Sequence, residues 1–192
     1  GSAGTGKTTL ALELIDRARL DGYRCYLTAP TNKAAKVLAE KTGQSAKTIH
    51  KLLQLVLVDK EDQQELERGG QVEFDEGMIL IIIDEASMMS KDLMELVYET
   101  TDHNEEVRVL FLGDPYQLNP IGEDISLALN YEGYELTKVM RQAEGNPIIQ
   151  LAQSIRENQT NGGEEPVRWH DYADDERIII HTNQKEFMDC YI

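Results

Sequence analysis

The chain has 192 residues and a formal net charge of −16, from 35 acidic and 19 basic residues. This length is sufficient for one well-buried core with a small appended element. The negative charge argues against a broad electrostatic surface for nucleic acid. No apolar run reaches the ~18 residues that a membrane span needs. Cys25 and Cys190 lie far apart without metal-ligand spacing, which indicates reduced core residues of a cytoplasmic protein rather than a disulfide.

The first eight residues, GSAGTGKT, match the P-loop pattern G-x-x-x-x-G-K-[ST] at every fixed position. In such a loop, backbone N–H groups turn inward around a phosphate, with a helix N-terminus behind them. The pattern predicts that Lys7 reaches the β- and γ-phosphates and that the Thr8 hydroxyl binds Mg²⁺. A plain glycine-rich turn is the alternative for this segment taken by itself. The predicted nucleotide-binding residues are Gly4, Thr5, Gly6, Lys7, Thr8 and Thr9.

A P-loop connects a strand to a helix, and nothing precedes Gly1. We therefore expect that the chain is a fragment of a longer protein.

Helix and strand patterns alternate along the chain, which predicts an α/β fold with a parallel sheet covered by helices on both faces. The first helix is expected to bury Leu10, Leu14 and Ala18, and to stop at Gly22. Predicted strands cover residues 23–28, 78–83, 107–112 and 177–181. Predicted helices cover residues 7–21, 31–42, 49–53 and 87–100, with a further helix starting at Pro147 and a partial one from residue 184.

Residues 54–77 interrupt this alternation. Two short strand-like pieces, 55–58 and 71–74, flank a polar stretch that contains Gly69 and Gly70, so an inserted β-hairpin is predicted. Residues 158–175 are acidic and contain two adjacent glycines, which is typical of a long exposed connection.

The local charge is uneven. Residues 31–53 carry five lysines against one glutamate, whereas residues 59–76 carry eight acids against two bases. The basic segment is either an ordinary solvated helix face or a local contact for an anionic partner.

A second nucleotide motif is the buried strand that ends in Asp84 and Glu85. Parallel strands present their carboxyl-terminal residues at the ligand edge of a sheet. Asp84 is therefore predicted to hold Mg²⁺, and Glu85 to orient and deprotonate the attacking water. Two acids after a strand can also serve as a helix N-cap, but the P-loop upstream favours the nucleotide site.

Two later motifs place polar side chains after further strand-like segments. The strand end at residues 110–112 leads to Gly113-Asp114-Pro115-Tyr116-Gln117, where the Gln117 amide is predicted to sense the γ-phosphate or its water. Taken alone, Gly-Asp-Pro indicates a simple turn. Arg141 follows a short strand and is predicted to offer a cation to the γ-phosphate.

Taken together, these segments resemble superfamily 1 DNA helicases of the RecD/Dda branch, a group of RecA-like P-loop NTPases. The resemblance covers residue 1 to about residue 156 and rests on ordered motifs. They are GSAGTGKT, APTNKAA at 29–35, TIHKLL at 48–53, IDEASM at 83–88, GDPYQLNP at 113–120 and LTKVMR at 136–141.

The resemblance implies an ATP- and Mg²⁺-dependent motor that moves 5′ to 3′ on single-stranded DNA. Residues 1–53 and 78–157 would form the first motor domain, 54–77 the hairpin that splits the duplex, and 158–192 a connection towards a second motor domain. Participation in DNA repair and recombination, and subunits of a nuclease–helicase complex as partners, are implied as well. The implied DNA contacts are Pro30, Thr31, Asn32, Lys33, Thr48 and His50.

Two other functions remain open at this point. A P-loop kinase also needs the loop and Mg²⁺, but it would need a mobile lid with several arginines, and none is evident. A nucleotide-gated binding module without motor activity would have no chemical need for Lys7, Asp84, Glu85 and Arg141 together.

Overall fold

The computed structural model describes residues 5–60, 63–72, 74, 76–102, 104–136 and 147–160. The chain divides into two compact units, Gly1–Arg141 and Gln142–Ile192. The helices are α1 (Lys7–Leu20), α2 (Asn32–Thr42), α3 (Ile49–Leu52), α4 (Lys91–Thr101) and α5 (Pro147–Thr160). The strands are β1 (Arg24–Ala29), β2 (Ala46–Thr48), β3 (Leu55–Lys60), β4 (Gln63–Arg68), β5 (Ile79–Ile83) and β6 (Val107–Phe111).

Four of these strands form one parallel sheet in the order β2-β1-β5-β6. Thr28 of β1 pairs with Ile83 of β5, which pairs in turn with Phe111 of β6. The carboxyl ends of the strands therefore meet at one edge, where α/β sheets bind ligands. The predicted α/β fold with a parallel sheet is confirmed. Strand β2 was not predicted, because three residues are too short to show a period.

The central strand β5 is buried on both faces. Ile79, Ile81 and Ile83 belong to a core cluster that also contains residues of α3 and α4. Ile82 faces a second cluster that contains residues of α1 and α2. Side chains alternate between the two faces of a strand, so a sheet covered on both sides needs a continuous apolar run. The run ILIII of β5 meets that need.

The buried face of α1 differs from the prediction. Ala11 and Ile15 are fully buried, whereas Leu10 and Leu14 are 40% and 37% exposed. The buried stripe is thus rotated by one residue, or about 100°, from the expected one. Ala11 and Ile15 pack in the second cluster with Leu27 and Ile82 of the sheet, so contacts with the sheet rather than side-chain size determine the buried face. Gly22 follows the helix with φ +86°, a backbone conformation that favours glycine.

The region predicted as a helix over residues 87–100 is broken. A 3₁₀ turn covers Ala86–Met88, and α4 begins only at Lys91. The Ser90 hydroxyl accepts a hydrogen bond from the Leu93 N–H at 3.3 Å, so Ser90 is the N-cap that starts the helix. An N-cap has an extended backbone and ends the preceding turn, so one continuous helix could not form.

The insertion between α3 and β5 is an antiparallel pair of strands, β3 and β4, with Leu55 opposite Arg68 and Lys60 opposite Gln63. The strand predicted over residues 71–74 is therefore wrong, since β4 ends at Arg68. Gly69 lies at the base of the hairpin rather than at its turn, because its N–H donates to the Gln54 carbonyl at 2.8 Å.

The second unit contains α5, which begins at Pro147 as predicted. Because α5 continues to Thr160, residues 158–160 belong to a helix rather than to the expected connection. The predicted strand over residues 177–181 and the partial helix from 184 lie outside the described residues. In the part of the chain that the structure describes, no helix is long and apolar enough to cross a membrane.

Candidate active site

The predicted nucleotide-site residues come from three segments of the first unit. Thr5 to Thr9 span the end of the P-loop and the start of α1, Asp84 and Glu85 follow β5, and Gln117 lies in the loop after β6. The structure describes all of these residues. Gly4 and Arg141 lie outside the described residues.

The P-loop side of the site is built around the first turn of α1. Gly6 is the N-cap, with φ +90°, and no side chain caps the helix. The first turn contains no acidic residue, so nothing there competes with an anion for the positive end of the helix dipole. The first N–H groups of an α-helix have no partner within the helix. This arrangement suits a phosphate group.

The two carboxylates follow β5 in a constrained backbone. The Asp84 N–H donates to the Thr28 carbonyl of β1, and the Ala86 N–H donates to the Leu112 carbonyl after β6, both at 2.9 Å. Between them, Glu85 has φ +55°, which is uncommon for a residue other than glycine. Asp84 Oδ1 accepts a hydrogen bond from the Glu85 N–H at 3.0 Å. The neighbouring strands thus fix the direction in which Glu85 leaves the sheet.

The electrostatics of these carboxylates indicate that Lys7 is near both. Burial raises the pKa of the Asp84 carboxyl, and the positive charges of Lys7 and Lys41 oppose that rise. Burial also raises the pKa of the Glu85 carboxyl, the Asp84 carboxylate raises it further, and the same two lysines again act in the opposite direction. The charges of Lys7, Asp84 and Glu85 therefore interact at the carboxyl edge of the sheet.

The loop after β6 places Gln117 beside a buried carboxylate. The Gln117 Nε2 donates to Asp114 Oδ2 at 3.2 Å, and the Tyr116 N–H donates to Asp114 Oδ1 at 3.1 Å. Asp114 is fully buried. Sequence reasoning gave Asp114 no functional role, because Gly-Asp-Pro reads as a turn. The sequence signal that could have indicated a role is an aspartate three residues before the glutamine, in the loop after a strand that ends at the ligand edge.

The predicted DNA contacts form a second group at the same edge of the sheet. Pro30 and Thr31 connect β1 to α2, and Thr48 is the last residue of β2, directly before α3. Ala29 pairs with Thr48 across the two parallel strands, so the two segments are neighbours. Asn32 and Lys33 are exposed at the start of α2.

The threonines and the histidine of this group have structural partners. Thr31 Oγ1 accepts from the Ala34 N–H at 3.1 Å, and Thr48 Oγ1 accepts from the Lys51 N–H at 3.2 Å. These bonds use an acceptor lone pair and leave each hydroxyl proton able to donate.

Burial lowers the pKa of the His50 imidazole, while a hydrogen bond to the backbone of Pro30 acts in the opposite direction. Proline has no N–H, so the Pro30 carbonyl is the acceptor. Pro30 is itself buried and joins the two segments through this carbonyl.

Metal-binding capacity at the site is limited to isolated oxygen ligands. Among the described residues, no group of three or more His, Cys, Asp or Glu side chains could hold a metal ion. Mg²⁺ in nucleotide sites is bound by one or two protein oxygens together with the substrate phosphates. The Thr8 hydroxyl and the Asp84 carboxylate are oxygen donors of that kind.

Comparison with known proteins gives a family match over most of the chain. The model of the AAA domain family matches residues 1–183. The ATP-dependent RecD2 DNA helicase of Deinococcus radiodurans is 37% identical over 161 residues, which cover 81% of this chain and 21% of the relative. The ATP-dependent DNA helicase dda of Enterobacteria phage T4 is 32% identical over 170 residues, which cover 84% of this chain and 38% of the relative. The chain thus spans about a fifth to two fifths of the length of these relatives.

Proposed function

Because this chain belongs to the AAA domain family and is similar to RecD/Dda-like helicases, we propose that it is the first motor domain of an ATP-dependent DNA helicase. The whole protein would couple ATP hydrolysis to movement on single-stranded DNA, 5′ to 3′ if it follows the resemblance. The proposal rests mainly on the electrostatic interaction of Lys7 with the Asp84 and Glu85 carboxylates, next to a helix N-terminus that no side chain caps.

In this proposal, residues 1–53 and 78–157 form the motor domain and residues 54–77 the inserted hairpin. Residues 158–192 lead towards a second motor domain.

Phosphate binding is assigned to the P-loop and the first turn of α1, residues 4–9. The left-handed conformation of Gly6 turns the backbone into the helix, and the first N–H groups of a helix can bind an anion. Lys7 adds a full positive charge, which interacts more strongly with a phosphate than the helix dipole does.

The oxygens of Thr8 and Asp84 fit Mg²⁺, which prefers hard oxygen ligands and keeps several waters. When bound with ATP, Mg²⁺ neutralises charge on the β- and γ-phosphates. Asp84 suits a water-mediated role, because its Oδ1 already accepts the Glu85 N–H and Oδ2 remains for a second contact.

Glu85 is assigned as the general base that orients and deprotonates the attacking water. A base works best when its pKa approaches the working pH, and both burial and the Asp84 carboxylate move Glu85 in that direction. The left-handed backbone of Glu85 is fixed by the hydrogen bonds of Asp84 and Ala86 on either side, which would limit the directions from which its carboxylate can approach the phosphate. Gln117 and Arg141 are assigned to the γ-phosphate, where the amide and the cation stabilise the charge that develops.

Single-stranded DNA is assigned to the surface formed by residues 30–33 and by Thr48 to His50. The exposed Lys33 can neutralise a backbone phosphate, and the hydroxyl protons of Thr31 and Thr48 can each donate to one. Few phosphates are contacted, so affinity should be modest and dependent on salt.

The proposal is tested by steady-state hydrolysis in the whole protein that carries this chain. Glu85→Gln should bind ATP nearly as well as wild type while hydrolysis falls by about 10²–10⁴-fold, the usual effect of removing a general base. Glu95→Gln is the matched control, because Glu95 is exposed on α4 and pairs with Lys91. Wild type that binds no ATP, or a Glu85→Gln variant with normal turnover, would contradict the proposal.

The same assay separates the two alternatives. A helicase releases the γ-phosphate as inorganic phosphate, faster with single-stranded DNA present, whereas a kinase transfers it to an acceptor. A nucleotide-gated binding module would bind ATP without turnover under either condition.

A further inference from the structure

We propose that Asp114 is a positioning residue for hydrolysis, which holds the Gln117 side-chain amide in one orientation relative to Glu85. This inference rests on the proposed function, since Gln117 acts on the phosphate only if ATP is hydrolysed at this site.

The contacts of Asp114 join the start of the loop to its functional residue. Its Oδ2 accepts from Gln117 Nε2 at 3.2 Å, and its backbone carbonyl accepts from the Gln117 N–H at 3.0 Å. Its other oxygen, Oδ1, accepts from the Tyr116 N–H at 3.1 Å. Gln117 is thus held to the same residue at both its backbone and its side chain.

The chemistry of the pair determines which way the amide lies. A carboxylate can only accept hydrogen bonds, and of the two ends of a glutamine amide only the nitrogen can donate. Gln117 Nε2 must therefore be the end at Asp114, and Oε1 lies on the opposite side of the amide. An oxygen in that orientation can accept a hydrogen bond from the attacking water, which Glu85 deprotonates. Because Asp114 is fully buried, losing a partner would leave a charge poorly compensated, which is costly.

The loop is also fixed against the segment that carries Glu85. A Cβ at Gly113 would lie 3.2 Å from the Ser87 nitrogen and 3.0 Å from Leu129 Cδ2, so the backbone approaches the Ala86–Met88 turn closely there. The Ala86 N–H donates to the Leu112 carbonyl at 2.9 Å. Asp114 is the next residue after Gly113, so its backbone is held in place by this contact, and its hydrogen bonds hold Gln117 in turn.

The competing explanation is that Asp114 only stabilises a turn, as an aspartate before a proline often does. A double-mutant cycle distinguishes the two explanations. Asp114→Asn has the same shape, but its amide offers one oxygen where two donors, Tyr116 N–H and Gln117 Nε2, need acceptors. Asp124→Asn is the matched control, because Asp124 is exposed in the same loop and the substitution removes the same charge.

The cycle compares kcat and KM for ATP in the whole protein for Asp114→Asn, Gln117→Ala and their combination. We expect Asp114→Asn to lower kcat about tenfold, the loss typical of a hydrogen bond to a charged group, with KM changed less than about threefold. The combination should be no slower than Gln117→Ala alone.

Thermal unfolding of residues 1–192 provides a second measurement, which stays informative if Asp114→Asn is too unstable for kinetics. Gln117→Glu places two carboxylates together and should lower Tm. Adding Asp114→Asn should recover most of that loss, because the new amide nitrogen can donate to the new carboxylate while its oxygen still accepts from the Tyr116 N–H.

Several outcomes would overturn the inference. Multiplicative effects on kcat in the cycle, or no recovery of Tm in the combined variant, would each do so while leaving the proposed function intact. Wild-type protein without ATP hydrolysis would remove the proposed function and the inference with it.

Discussion

Replacing Lys7 by alanine removes the side-chain charge that we assign to the nucleotide phosphates. Lys7 is the first residue of α1, and its charge acts on Asp84 and Glu85. The backbone at the helix start does not depend on this side chain, since Gly6 provides the turn. The substitution should therefore change affinity rather than fold.

The size of the effect follows from charge and distance. Two unit charges 4 Å apart near a protein surface interact by about 4 kcal/mol at an effective dielectric constant of 20. Part of this is offset by the water that the lysine loses on binding. The helix dipole, worth about 0.3–1 kcal/mol, remains in the variant. A net loss of about 2–3 kcal/mol corresponds to about 30- to 150-fold in Kd.

Isothermal calorimetry with ATP and Mg²⁺ measures this difference directly. Arg17→Ala is a matched control, since it removes one positive charge from the same helix about 15 Å further along its axis. Its side chain is 73% exposed and pairs with Asp21, so its affinity should equal that of wild type. Equal ATP affinity in wild type and Lys7→Ala would refute the assignment of the P-loop as the nucleotide site.

Three further results are expected. Asp84→Asn should raise Tm at neutral pH, because burial raises the pKa of Asp84 above 3.8 and the charged form destabilises the fold. In differential scanning calorimetry at decreasing pH, this gain in Tm should shrink between the folded pKa and 3.8, because the wild-type carboxylate becomes protonated there. Lys33→Glu should weaken single-stranded DNA binding by the whole protein about 3- to 10-fold and flatten the salt dependence of binding. Lys91→Glu is the control and should have little effect, because Lys91 pairs with Glu95 on α4. The opposite ranking in fluorescence anisotropy would place the DNA strand elsewhere on the protein. Residues 1–192 alone should bind nucleotide weakly and show negligible DNA-stimulated hydrolysis and no unwinding. In related NTPases, arginines from a second domain raise the rate of hydrolysis by orders of magnitude. Robust strand displacement by a monodisperse preparation of residues 1–192 would contradict this prediction.

The parts of the fold that the sequence predicted well are those with strong local patterns. The apolar run of β5 has the length of a strand, which favoured a buried strand, and Asp84 and Glu85 follow it at the predicted edge. The short helix predicted over residues 49–53 is present as α3, where Thr48 is the N-cap and accepts the Lys51 N–H. In each case the local chemistry and the tertiary structure favour the same conformation.

Other features depend on contacts that a pattern does not contain. The position of β4 was not predicted correctly, because Gly69 and Gly70 suggested a turn. At the base of the hairpin there is instead no room for a side chain, since a Cβ at Gly69 would lie 2.8 Å from Val56 Cγ1. The role of Asp114 depends on burial, since an exposed aspartate at the same position would only stabilise a turn. Neither distance nor burial can be read from the spacing of residues.

The hairpin leaves the domain and returns to it at the same point. The Gly69 N–H closes on the Gln54 carbonyl, and Arg68 holds the base to α4 through the Leu96 carbonyl and Glu99. Strands of six residues carry the tip about 20 Å from this closure. An arm joined in this way can be lengthened at its far end without disturbing the sheet, whereas Leu55 and Leu66 pack against the core of the domain. Changes of two residues per strand keep every side chain on its original face, so its reach can be adjusted in increments of about 7 Å.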